Sequence, residues 1–180
     1  MLAEMWLPAG YELWWLSPEL AMVAAVAAML IVPLFAGRSS RLSAYIGLGG
    51  ALAAGLLAAL VLRSLTTASQ PGQAAFAPSG SPPAGMVLVD NFSLFFRMFL
   101  ALFLAAIIGL WMIGSAAREK DAPEFLTLLI GSAIGMAVMV STANLLVMVI
   151  AIELASLPSY AIVGFEKRDR LAAEASLKYV

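Results

Sequence analysis

Residues Asn144 to Phe165 read NLLVMVIAIELASLPSYAIVGF. The run is apolar almost throughout and long enough to cross a bilayer, which takes about 20 helical residues. One carboxylate, Glu153, stands near its middle. Acids at that depth are rare, face a bundle interior or water, and commonly mark ion or proton paths. The plain alternative is a glutamate tied into a helix–helix hydrogen bond, and the expense of placing an acid there favours function over that alternative. Burial and a nearby cation would act on its proton affinity in opposite senses, which suits a proton carrier. Pro158 lies five residues further on. It removes one backbone hydrogen bond and clashes with the carbonyl of Leu154, so a kink is expected near Glu153. Taken alone, the proline reads as a packing kink.

The rest of the chain has the same character. Of 180 residues, 63% are hydrophobic and 12% charged, with a mean hydropathy of +0.97. A soluble domain is nearer one-half apolar and one-quarter charged, so a bilayer is the natural solvent here. A net charge of -1 points to no nucleic acid partner. Cysteine and histidine are both absent. That excludes disulfides, thiol catalysis, the usual zinc sites and His-ligated haem. Proton chemistry would then fall to carboxylates, lysines, hydroxyls and water. Residues 1–17 carry acidic side chains, no Lys or Arg, and no small-residue cleavage site, unlike a signal peptide. Their Trp6, Tyr11, Trp14 and Trp15 suit an external membrane interface.

Five segments can each span a bilayer: about Pro18 to Phe35, Leu42 to Leu62, Phe92 to Ile113, Glu124 to Val140, and Asn144 to Phe165. A sixth begins near Leu171, and the sequence stops inside it at Val180, which reads as a partial chain. Blocks 18–62, 92–140, 144–165 and 171–180 therefore hold helices one and two, three and four, five, and the start of six. Ser17 is placed to cap the first helix, Pro18 suits its first turn, and Glu19 complements its positive end. Residues 63–91 form an external loop rich in Pro, Gly and Ser, expected to be irregular, with a short strand at MVLV. Arg38, Arg41, Arg118, Lys120, Lys167, Arg168 and Arg170 fall on one side of the membrane and Arg63 on the other, which puts the N-terminus outside.

The STAN link makes the fourth and fifth helices antiparallel neighbours. Gly131 and Gly135, and likewise Gly47, Ala51 and Gly55, form small-residue faces for close helix packing. Arg97, about one and a half turns into the third helix, is expected to snorkel to the interface. Asp90 is placed to cap that helix or to pair with Arg97. Glu174 stands four residues before Lys178, the favourable order for a helical ion pair. At 1.5 Å per residue, Lys178 would lie about 10 Å deep and Glu153 about 18 Å from the same side. The two reach neighbouring depths, yet Glu174 and Lys178 read equally as a surface pair whose lysine snorkels.

The run Glu153, Leu154, Ser156, Leu157, Pro158, Tyr160, then a short basic loop, then Glu174, Ala175, Lys178 and Tyr179 resembles the N subunit of bacterial respiratory complex I. That family is the proton-pumping NADH:quinone oxidoreductase, whose mitochondrial counterpart is NADH dehydrogenase subunit 2. SPEL at the first helix and VDNFSLFF at the third are also similar to it. The resemblance implies an all-α, polytopic membrane protein with an antiporter-like helix bundle, five full transmembrane helices and the start of a sixth. It implies that Glu153 is the mid-membrane acid of a proton channel, that Lys178 helps set its proton affinity, and that Glu174 and Pro158 support them. It further implies no cofactor on this chain, with NAD, FMN, iron–sulfur clusters and quinone on partner subunits. The partners implied are the other complex I membrane subunits, neighbouring antiporter-like subunits and the lipid of a bacterial inner membrane. The family's later lysines have no counterpart within these residues. Two other readings stay open. One is a subunit of a cation/proton antiporter or membrane-bound hydrogenase. The other is a structural or assembly subunit without its own proton path.

Overall fold

The computed structural model describes residues 10–37, 39–67, 73–75, 86–114, 121–165 and 170–179. A short helix α1 (Gly10–Trp15) leads into α2 (Ser17–Ala36) and α3 (Ser40–Thr67). Two three-residue strands follow, β1 (Gln73–Ala75) and β2 (Val87–Val89). Then come α4 (Asn91–Ile113), α5 (Ala122–Ser141), α6 (Leu145–Val163) and α7 (Arg170–Tyr179). Five of these, α2 to α6, are long and apolar enough to cross a membrane. The protein is therefore a multi-pass helical membrane protein. Arg38, Arg118, Lys120, Lys167 and Arg168, which carry most of the expected charge asymmetry, lie outside the described residues. So does most of the loop 63–91.

Helices α2 to α5 pack as a bundle, and α6 lies against α5 at its edge. In lipid, burial from water cannot drive such packing, so close approach of small residues must. The core is accordingly alanine-rich: Ala51, Ala54, Ala101, Ala133 and Ala137 are buried among Met29, Ile108, Leu126 and Ile130. Gly135 shows the constraint most sharply. A Cβ there would meet the backbone of Leu154 and Ala155 at 2.5–2.9 Å, so α5 and α6 touch backbone to backbone. Gly131, one turn away, faces the ring of Pro158. The G-x-x-x-G of α5 thus packs α6 as its spacing predicts.

The strands form one antiparallel pair, with Ala74 opposite Leu88. Part of the loop expected to be irregular is thus a strand, because β2 buries Val87 and Val89 against Val61, Leu65 and Leu94 and offers β1 an edge. This hairpin marks one end of the bundle, the strand end. The starts of α3 and α7, with Arg41 and Arg170, mark the opposite, basic end.

Capping decides where the helices begin. Asp90 Oδ1 accepts the Ser93 N–H at 2.7 Å, and Ser93 Oγ accepts the Asp90 N–H at 3.1 Å. This capping box answers one open expectation: Asp90 caps α4. Asn144 Oδ1 accepts the N–H groups of Leu146 and Val147 and starts α6. Ser17 does not cap. It is already the first residue of α2, Leu16 occupies the cap position, and the Ser17 hydroxyl is buried without a hydrogen bond among the described residues. The helix begins a residue early because α1 feeds directly into it.

Candidate functional site

The fold places Glu153 on the ninth of the nineteen positions of α6. At 1.5 Å per residue that is about 13 Å from either end of the span. The side chain is exposed on the outer face of α6, and no hydrogen bond or ion pair holds its carboxylate among the described residues. Ala151 is the buried residue of this helix. A carboxylate so placed can bind and release a proton or a cation, and it cannot lie bare against lipid.

The helix continues through Pro158 to Val163 without a break. Hydroxyl groups surround the proline. Ser132 Oγ, from α5, donates to the Ala155 carbonyl at 2.9 Å. Ser159 Oγ donates to the Ser156 carbonyl at 2.6 Å, and Ser156 Oγ to the Glu153 carbonyl at 3.4 Å. Neighbouring hydroxyls are one way a transmembrane helix tolerates proline, although these bond the carbonyls of Glu153, Ala155 and Ser156 and not that of Leu154. The two serines flanking the proline in ELASLPSY supply part of this set.

Lys178 and Glu174 form the ion pair their spacing predicts, at 2.7 Å, both exposed on α7. The ammonium is on Glu174 and not on Glu153. Contacts between α6 and α7 fix the levels: Ser176 Oγ donates to the Tyr160 carbonyl at 3.1 Å, and the rings of Tyr160 and Tyr179 meet edge to face at 5.5 Å. Lys178 therefore lies near the level of Tyr160. Glu153 is seven residues deeper, about 10 Å along the axis. The structure brings Glu174 to Lys178 and leaves Glu153 apart from both.

A second charged site was missed in the sequence reading. Arg97 does not snorkel: it is 2% exposed. Its Nε lies 3.0 Å from Glu19 Oε1 and donates to Ser141 Oγ at 2.9 Å. Its Nη1 donates to the Trp15 carbonyl at 2.9 Å. Ser141 Oγ in turn donates to the Ala137 carbonyl. Glu19 sits in the first turn of α2, as read, but it is buried against Arg97 and does not simply face the helix end. Because α2 and α4 both start at the strand end, an acid and a base near those starts fall at one level. That shared level was the signal.

These features together define a class, the polytopic helical membrane proteins, here with an acid at the middle of a helix long and apolar enough to cross a membrane. No family model matches the chain. Among curated proteins, it is 36% identical over 174 residues to NADH-quinone oxidoreductase subunit N of Rubrobacter xylanophilus, covering 92% of this chain and 32% of that protein. It is 36% identical over 173 residues to the same subunit of Anaeromyxobacter sp. strain Fw109-5, covering 92% of this chain and 30% of that one. It is 30% identical over 170 residues to F(420)H(2) dehydrogenase subunit N of Methanosarcina mazei, covering 93% and 33%. The resemblance carried by Glu153 to Tyr179 is thus borne out: over about nine-tenths of its length the chain is a homologue of N subunits. It spans about a third of the length of the curated relatives it matches.

Proposed function

We propose that the chain is a proton-translocating, antiporter-like part of an N-type subunit of a NADH:quinone oxidoreductase, with Glu153 as its mid-membrane proton carrier. The observation that carries this reading is Glu153 itself: a carboxylate at the middle of a spanning helix, held by no partner among the described residues, in a homologue of N subunits. Such an acid is tolerated where ion or proton transfer needs it. Quinone reduction elsewhere in the complex moves a cation toward or away from Glu153. An approaching cation favours the carboxylate and drives the proton off, and a receding one lets the acid reload. In this reading the Lys178 pair with Glu174 is the resting arrangement. An exposed i,i+4 pair is a weak tie, so releasing the ammonium toward Glu153 takes little.

The redox groups, NAD, FMN, iron–sulfur clusters and quinone, belong to partner subunits in this proposal, and this chain moves protons without electron chemistry. One relative is named for F(420)H(2) and not NADH, so the electron donor is not set by these residues. The membrane is a bacterial inner membrane, with the strand end outside and the basic end in the cytoplasm. The test is Glu153→Gln in the assembled complex. Protons pumped per electron should fall while the complex still assembles and reduces quinone. An unchanged ratio would overturn the assignment.

A further inference from the structure

The buried Glu19–Arg97 pair is chemically incomplete. A guanidinium has five N–H donors. The Nε hydrogen goes to Ser141 Oγ and one Nη1 hydrogen to the Trp15 carbonyl. The Nε–Oε1 contact at 3.0 Å is therefore an approach of charges without a hydrogen between them. Among the described residues, Arg97 Nη2 has no acceptor and neither Glu19 oxygen has a donor in hydrogen-bond geometry, the Glu19 backbone N–H acting on its own carboxylate only from poorer geometry, although all three atoms are buried. The side chains are 1% and 8% exposed, so bulk solvent does not supply the missing partners. Leaving such atoms bare in a low-dielectric site costs about 1–3 kcal/mol each, and more for charged groups.

We infer that a water-binding site lies between Arg97 Nη2 and the Glu19 carboxylate, at the strand end of the bundle among α2, α4 and α5. The ligand class follows from the mixed character of the unused atoms. A cation would meet the guanidinium, and an anion would meet the carboxylate. A neutral molecule that accepts from Nη2 and donates to Oε1 or Oε2 satisfies both, and water is the smallest that does so. The bound water completes a lock in which one arginine ties the start of α2, the α1–α2 junction at Trp15 and the last residue of α5. This site is independent of the role assigned to Glu153.

The test is electron cryo-microscopy of the native complex, with the full chain present, at a resolution that shows ordered water. Density should stand about 2.7–3.2 Å from both Arg97 Nη2 and a Glu19 oxygen. Direct bonding of Nη2 to the carboxylate with no density between them would overturn the site, and so would an empty gap. A companion test is Glu19→Leu with Arg97→Met in the same complex. The density should vanish, and its persistence would show that other groups hold the water.

Discussion

Arg97 and Glu19 behave alike in one respect: each is tolerable only because of the other. Removing one partner of a buried pair leaves a bare charge and destabilises by about 3–5 kcal/mol, whereas replacing both with apolar residues of similar size is often neutral. Glu19→Leu or Arg97→Met alone should therefore sharply lower the amount of assembled complex recovered in mild detergent. The double exchange should restore much of it. Equal loss in all three would show that the site contributes more than mutual neutralisation. Within its own helix each residue has a local explanation, Glu19 as a helix-end charge and Arg97 as a snorkelling one. Rules of local spacing do not see across helices, so the pair stayed hidden although both residues were noticed. Glu153, Glu174 and Lys178 were legible because a mid-span acid and an i,i+4 pair announce themselves along one segment.

Helix packing was more legible than helix ends. The small-residue face of α5 was read from G-x-x-x-G, and it carries a direct prediction. Gly135→Leu must push the backbones of α5 and α6 apart, since even a Cβ there would lie 2.5 Å from the Ala155 nitrogen. Overpacking of this kind costs about 1–3 kcal/mol or more. A Cβ added at Gly49 would meet nothing within 4 Å, so Gly49→Ala is the control and should leave assembly unchanged. Thermal stability of the purified complex, followed by loss of this chain, reads both. Asn144→Ala should cost about 1 kcal/mol through the lost cap of α6, a smaller shift in the same measurement. Some boundaries differ from the apolar runs: α3 continues past the expected stop at Leu62 to Thr67 through polar residues that an apolar run does not mark, with Ser64 Oγ donating to the Val61 carbonyl and Thr66 Oγ1 to that of Arg63. The start of α5 at Ala122, ahead of Glu124, has the proline of its first turn as its cause.

Across the whole molecule, the number of spans and their order followed from composition and run length, because a bilayer imposes both. What composition could not reveal is how unevenly the helices are covered. Ile150 and Leu157, one turn to either side of Glu153 on the same face, are each 58% exposed. A photo-reactive residue at either position in the native complex should capture polypeptide, since an acid between them cannot face lipid. Capture of lipid alone would remove Glu153 from any proton path. Leu56 of α3, 63% exposed and with no acid on its helix, serves as the comparison position.

The backbone contact at Gly135 also bears on which parts can travel. Through it α6 is mounted on α5, and through Ser141 and Arg97 the far end of α5 is bolted to α2 and α4. The carboxylate of Glu153 thus rides on a helix packed backbone to backbone against that frame. Among the described residues, α7 meets α6 through the Ser176 hydroxyl, the Tyr160–Tyr179 ring pair and the close approach of Ser176 to Gly164. Under the function proposed above, the acid would be the anvil and the lysine-bearing helix the part that swings.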